Sequence, residues 1–311
     1  MDMASTVCTR FFYCIYRKVA LPFINPKKKV IHYKFNSVLM EAIVQYFGQI
    51  PSAHRAMILA GGIAFFWLLE YAVPLMQFNY NKIRHSLPNF FFTATTIVVN
   101  FSLAFTIVLA SDAAIKYQFG VLQWVAMPLW LAALVGLLGL DFIGAYLVHL
   151  IQHKVKWMWR FHMVHHADTQ VDTTTANRHH PGESVFRAVF TTLAVLIMGA
   201  PIWLVFLYQS LSVVLSQFNH ANIKLPMWLD VAISYVIVSP NMHKVHHHYV
   251  RPETDTNYGN IFAIWDRLLG TYHFTPPYEI QYGLDVLQGV DDKAVGTQLQ
   301  VPFRKDIRTD Y

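Results

Sequence analysis

"DFIGAYLVHLIQH", residues 141–153, runs on without a break from the apolar stretch 121–140. Apolar side chains continue at helical spacing past Asp141, so the stretch reads as one helix that begins in hydrocarbon and grows out of it. If the hydrocarbon ends near Asp141, His149 sits eight residues on, about 12 Å further along the axis. His149 and His153 are four apart and share a helix face. A chain that carries two imidazoles on one face just beyond a membrane has a purpose for them there.

The composition agrees with a membrane setting. Apolar residues make up 55% of the 311 and charged residues only 14%, about half the charged share usual in soluble domains. Mean hydropathy is +0.33. Residues 56–78, 88–110 and 121–140 are each long enough to cross ~30 Å of hydrocarbon. Residues 188–218 are too long for one straight span and carry Pro201 near the middle, which reads as a hairpin of two short helices. Residues 226–239 are shorter and read as interfacial, and residues 39–50 as an amphipathic surface helix. The spacing thus predicts an all-α integral membrane protein, a transmembrane bundle with a histidine-rich cap. Its expected organisation is a lead-in over 1–55, the membrane domain over 56–285 and a C-terminal tail over 286–311.

The net charge of +6 is locally clustered, as at Lys27–Lys29, and suits anionic lipid headgroups. No basic stripe with interleaved aromatics speaks for nucleic acid. Two cysteines cannot build a disulfide framework or an iron–sulfur cluster. Lys154, Lys156, Arg160 and Arg178 flank the histidines, against Lys116 alone in the loop between the second and third apolar stretches. The positive-inside rule therefore puts the histidines in the cytoplasm. The same rule conflicts with a full crossing by 56–78 and leaves a re-entrant hairpin there as the alternative.

Twelve of the 16 histidines lie between His149 and His248. "HMVHH" places His162, His165 and His166 at i, i+3, i+4, and "HKVHH" repeats the spacing with His243, His246 and His247. With His149 and His153 these boxes supply eight imidazoles. His220 and either His180 or His179 bring the number to about ten. One zinc takes three or four protein ligands, so this many nitrogens suit two ions. The last histidine of each HxxHH box is expected to lean toward the second ion. All-imidazole ligation fits zinc, copper, iron or nickel. There is no HExxH, and hence no metalloprotease arrangement. His179 and His248 read as surplus neighbours, and Glu70 as either a substrate-path residue or a paired structural charge. Asp266, Asn257 and Tyr146 are candidates to orient the ligands from behind.

HxxxH, HxxHH, a lone His and HxxHH, in that order, resemble the fatty acid hydroxylase superfamily, which includes sterol desaturase-type enzymes. "WRFHMVHHADTQVDTTTANRHHPGE", "FNHANIKLP", "SPNMHKVHH" and "NYGNIFAIWDRLLGTY" resemble blocks of bacterial sterol desaturase-type and alkylglycerol monooxygenase-type members. The likeness covers residues 85–285. It implies a cytosolic helical cap holding two iron ions, exchangeable for zinc on purification, with O2 as co-substrate. It implies hydroxylation, desaturation or ether cleavage of a sterol-like, fatty acyl or ether lipid. The ligands it implies are His149, His153, His162, His165, His166, His243, His246 and His247, with His180 as ninth and His220 as tenth. Where some relatives carry a further histidine after the lone one, this chain has Asn222. No flavin, nicotinamide or iron–sulfur motif is present, so a reductase, ferredoxin or cytochrome b5-like carrier is expected to deliver electrons. The reading from another class is a histidine-rich metal-binding protein or metal transporter, whose ligands belong near the membrane midplane rather than beyond the ends of spans.

Overall fold

The computed structural model describes residues 37–309, and these are helical: among them there is no strand, only the isolated bridges Pro74–Ile223 and Ile237–Phe262. The helices are α1 (Ser37–Gly48), α2 (Ser52–Ala72), α3 (Lys82–Tyr117), α4 (Leu129–Lys154), α5 (Lys156–His166), α6 (Pro181–Met198), α7 (Ile202–His220), α8 (Met227–Ser234) and α9 (Pro240–His246). Five are long and apolar enough to cross a membrane: α2, α3, α4, α6 and α7. Their surfaces are inverted relative to a water-soluble protein. Phe101 is 78% exposed and Leu68 70%, while Glu70 and Asp141 are buried. Broad exposed apolar faces of this kind belong against lipid.

Residues 56–78 do not fold back on themselves. They hold one straight helix to Ala72, because nothing between Ser52 and Ala72 breaks the backbone ladder. Residues 188–218 do form the expected pair. Gly199 ends α6 in a left-handed conformation and Pro201 caps α7. The turn packs against a second tight turn after α3. A Cβ on Gly120 would lie 2.3 Å from the Gly199 nitrogen, so only glycine lets the two backbones meet. The core between these helices is made by Leu140, Val195, Met198, Leu204, Val205 and Tyr208.

Three buried ionic groups tie the membrane helices to the cap. Glu70 on α2 pairs with Lys82 and accepts from the backbone nitrogens of Thr173 (2.7 Å) and Asn222 (2.9 Å). It is a paired structural charge. Asp141 stands where α4 widens into a π-helical turn, Phe142–Leu147. Such a turn inserts a residue into the helix and re-aims the side chains beyond it. Asp141 accepts from Ile261 N, Phe262 N and Trp265 Nε1 at 3.0–3.2 Å, which pins the 257–265 loop to α4. Arg178 donates to Val164 O, Asn89 Oδ1 and Asp292 O. In the last segment, Leu287, Val301 and Ile307 pack with Trp159, Met163 and Val164 of α5.

Candidate metal centre

α4, α5, α7 and α9 bring their histidines to one buried place. The two crossings made by α6 and α7 return the chain to the end of the bundle where it started, which delivers His220 and α9 beside α5. Two groups result. His149, His153, His162, His166 and His246 form one, and His165, His220, His243 and His247 the other. Within each, the atoms able to bind an ion lie within 4.8 Å of one another, and all nine residues are buried.

Each HxxHH box serves both groups. On a helix, residues four apart differ by only about 40° in direction, whereas residue i+3 lies about 60° to the other side. His162 and His166 therefore share the five-histidine group, and His165 crosses to the four-histidine group. In the second box His243 and His247 stay together and His246 crosses. The middle histidine of each box is exchanged, not the last one as the sequence suggested.

The hydrogen-bond pattern fixes which nitrogens face inward. His149 Nδ1 lies 2.8 Å from Tyr258 O, and His246 Nδ1 2.7 Å from Thr256 O. A carbonyl oxygen only accepts, so both Nδ1 atoms carry the proton and both Nε2 atoms present a lone pair. His162 Nδ1 donates to Glu183 Oε1 (2.8 Å) and His153 Nδ1 to Asp255 Oδ1 (3.3 Å). His220 Nδ1 faces Ser216 O and Asn219 Oδ1, both at 2.7 Å. The inward atoms of His149 and His162 then meet as acceptor against acceptor, and the single Nε2 lone pair of His220 is ringed by three further Nε2 atoms, of which it can accept from one. His149 Nε2 and His162 Nε2 are 3.0 Å apart, and His220 Nε2 faces the Nε2 atoms of His165, His243 and His247 at 3.2 Å each. His153 Nε2 and His246 Nε2 are buried without a hydrogen-bond partner. Lone pairs so placed repel unless a cation sits among them. Nitrogens that share an ion at ~2.0–2.1 Å stand about 3 Å apart. The donor set fits a metal ion in each group.

Electrostatics keep these imidazoles neutral. Burial pushes His162, His165, His166, His243, His246 and His247 well below the ordinary imidazole range, and the neighbouring imidazoles push further. Neutral imidazole is the form that binds metal. Burial alone would raise the Asp255 carboxyl, but His153, Lys154 and Arg251 hold it well below the usual carboxylate range. Beside the four-histidine group is a small cavity, lined by His165, His179, Arg187, His220, His243 and Asn260 among others, with about 30 Å³ of free space. That is room for one or two water-sized molecules.

Nine of the ten histidines singled out from the sequence meet in the two groups, and His180 does not. Pro181 opens α6 and makes residue 180 its N-cap. The side chain therefore turns back on its own helix, where Nδ1 accepts from Gly182 N at 3.0 Å and Nε2 donates to Leu299 O at 3.3 Å. Its neighbour His179 faces the site instead, with its ring 5.1 Å from that of His165. The four residues expected to orient ligands act at one remove. Asp266 accepts from Tyr258 N (2.8 Å) and Gly259 N (2.9 Å), and so holds the loop whose Tyr258 carbonyl meets His149. Burial pushes its carboxyl up to about 6. Asn257 bonds to Met242 O and to the His273 backbone, Tyr146 to Thr271, and Asn222 to the Met76 backbone. None of the four touches an imidazole nitrogen. The groups that do are Glu183, Asp255, Asn219 and the carbonyls of Ser216, Thr256 and Tyr258. Glu183 and Asp255 left a signal, since each is an acid in a histidine-rich stretch of a charge-poor chain. The carbonyls left none.

A helical membrane protein with two adjoining all-imidazole groups at the ends of its spans defines a class: a membrane protein with two candidate metal sites whose side chains come from four separate helices. Residues 133–271 match the fatty acid hydroxylase family, and the relatives that the chain resembles are lipid hydroxylases and monooxygenases. It is 27% identical over 231 residues to the ornithine lipid hydroxylase OlsE of Rhizobium tropici, a match covering 73% of this chain and 66% of the relative. It is 30% identical over 176 residues to alkylglycerol monooxygenase of Homo sapiens, covering 54% of this chain and 36% of the relative. Against the cholesterol 25-hydroxylase-like protein of Danio rerio it is 30% identical over 129 residues, covering 40% and 49%. The matches thus span two thirds or less of these relatives' lengths. No solved structure matches the chain.

Proposed function

We propose that this protein is a membrane-bound, O2-dependent lipid hydroxylase or monooxygenase with two iron ions. The observation that carries the reading is the convergence of nine buried imidazoles in two adjoining groups, with His149 Nε2 and His162 Nε2 facing each other as acceptors at 3.0 Å. The similarity to a lipid hydroxylase and to monooxygenases supplies the reaction class. His149, His153, His162, His166 and His246 would hold one ion, and His165, His220, His243 and His247 the other. Iron in such sites supplies O2 activation and the oxidation of an unactivated C–H bond.

The chain's own residues do the rest. Glu183, Asp255 and the carbonyls of Thr256 and Tyr258 keep the proton on Nδ1 of four ligands, which fixes their tautomer and aim. Asp141 and Asp266 hold the loop that carries the Tyr258 carbonyl. The five-histidine group is the more fully braced. Both groups border the cavity, His149 from the five-histidine group and His165, His220 and His243 from the other, so a small co-substrate there would lie between them. The apolar faces of the spans admit a lipid from the bilayer, and the basic residues near the boxes argue for a site on the cytoplasmic side. Electrons come from a separate protein carrier.

The test is metal analysis joined to product analysis. Protein purified in mild detergent should carry about two ions per chain. Lipids from a deletion strain should lack a species, one oxygen atom heavier than its precursor, that complementation restores. A well-folded preparation with one ion or none ends the two-metal reading. A lipid profile unchanged by deletion ends the oxygenase reading.

A further inference from the structure

Arg187 stands on the second turn of α6, inside a candidate membrane span, and lines the cavity beside the four-histidine group. Its Nε donates to Glu183 Oε1 at 2.9 Å. That one bond occupies one corner of the guanidinium. The two terminal amino groups have no hydrogen-bond partner among the described residues, and the side chain is 27% exposed. A guanidinium offers five donors in a planar fork suited to carboxylate or phosphate. Most of that fork is unused and borders the cavity.

Arg187 is ion-paired with the buried Glu183. It lies close enough to disfavour protonation of His162 and His179. A fixed cation that opposes positive charge on these imidazoles also opposes the metal ions they would bind. Glu183 balances Arg187, which leaves none of that carboxylate's charge to set against the ions that the neutral imidazoles would bind. A cation placed on a membrane helix beside a cationic centre is expensive unless an anion joins it. Apart from Arg187, none of the described residues that line the cavity is an acid or a further basic side chain with a fixed charge.

We infer that Arg187 is the binding residue for an oxyanion on the lipid substrate, a carboxylate or phosphate of the head region. Resting on the lipid-oxygenase reading, this puts the polar end of the lipid, rather than the tip of its chain, beside the four-histidine group. The interaction is bidentate through the terminal amino groups, while Nε keeps its bond to Glu183. Uncharged lipids of the same chain length lack that hold.

The experiment is equilibrium binding to the full chain in a neutral detergent. The probes are oleate, dioleoyl phosphatidic acid and methyl oleate, with metal content measured on each preparation. Wild type should bind at least one of the two anionic lipids in preference to methyl oleate. Arg187→Gln should weaken that lipid about 10- to 100-fold, the worth of a charge-assisted hydrogen-bonded pair, and should shift methyl oleate far less. Arg187→Lys should recover part of the loss. Lys116→Gln, at the far end of α3, should leave all three affinities alone. Preference for oleate or for phosphatidic acid tells which oxyanion is read. Equal binding of charged and neutral lipids by wild type overturns the inference, and needs no variant to fold. So does displacement of the bound lipid by excess inorganic phosphate, which would make the site one for free anions. So does loss of metal together with lipid in Arg187→Gln, which would make Arg187 a support for Glu183 only. Wild-type protein that selects the anionic lipid yet binds no metal would sink the oxygenase reading and leave the anion subsite standing.

Discussion

Glu183→Gln tests the bracing of the five-histidine group with almost no change in shape. The carboxylate is fully buried, and its Oε1 accepts from His162 Nδ1 at 2.8 Å and from Arg187 Nε at 2.9 Å. Glutamine retains an oxygen that can accept from His162, so the ring keeps its tautomer. What is lost is the negative charge that makes the imidazole a better donor. Removing such a partner typically weakens metal affinity 10- to 100-fold, about 1.4–2.7 kcal/mol. The loss should fall on one ion only, because His162 belongs to the five-histidine group while His165, three residues on, belongs to the other. Titration with a graded series of chelators, followed by metal analysis of the protein, resolves the two ions. Wild type should release them at its own two thresholds, and the variant should move one threshold by about that factor. Two unmoved thresholds would refute the bracing role. Two thresholds moved together would refute the division into separate groups.

The exchanged histidines give a second test: His246→Ala should strip the ion from the five-histidine group, and His165→Ala the ion from the four-histidine group, each read by metal content on inserted protein. His180→Ala should leave both ions bound and lower the melting temperature through loss of a helix cap worth ~1 kcal/mol. The buried imidazoles predict a direction for pH. Groups held below their unfolded value of about 6.5 resist protonation only in the fold, so metal-free protein should be most stable above that pH and lose stability steadily as pH falls below it, by thermal unfolding. Asp266→Ala should release the loop at Tyr258 and Gly259, which would show as faster amide exchange over 257–265 and weaker binding of the ion held by His149.

The membrane helices and the boxes could be read from the sequence because both depend on local order. Apolar length gives a span, and i, i+4 spacing gives a shared face. The same reasoning could not choose between His179 and His180, since the choice is made by Pro181, whose position as first residue of α6 turns residue 180 into a cap. It mis-assigned the crossing histidine of each box because it weighed the crowding of neighbours above helical direction. Asp266 stands close to the site, but its reach is one peptide short of an imidazole. The carbonyls of Ser216, Thr256 and Tyr258 are invisible in a sequence because every residue carries one. Glu70 could be read as either a substrate-path residue or a structural charge, and only the meeting of α2 with residues 173 and 222 decides it.

The trade of middle histidines between the two boxes has a consequence for biosynthesis. Neither group can be completed from the first half of the polypeptide. His153 and His166 wait for His246, and His165 waits for His243 and His247, about 80 residues later in the chain. At ~5–20 residues per second that is roughly 4–16 s of synthesis, during which α6 and α7 must also enter the bilayer. The nascent chain therefore passes through the ribosome and the insertion machinery with its ligands gathered but uncrossed. Loading of the proposed ions would then be a late step that locks α9 against α5, and a chain truncated before α9 would keep four histidines of one group but only His165 and His220 of the other.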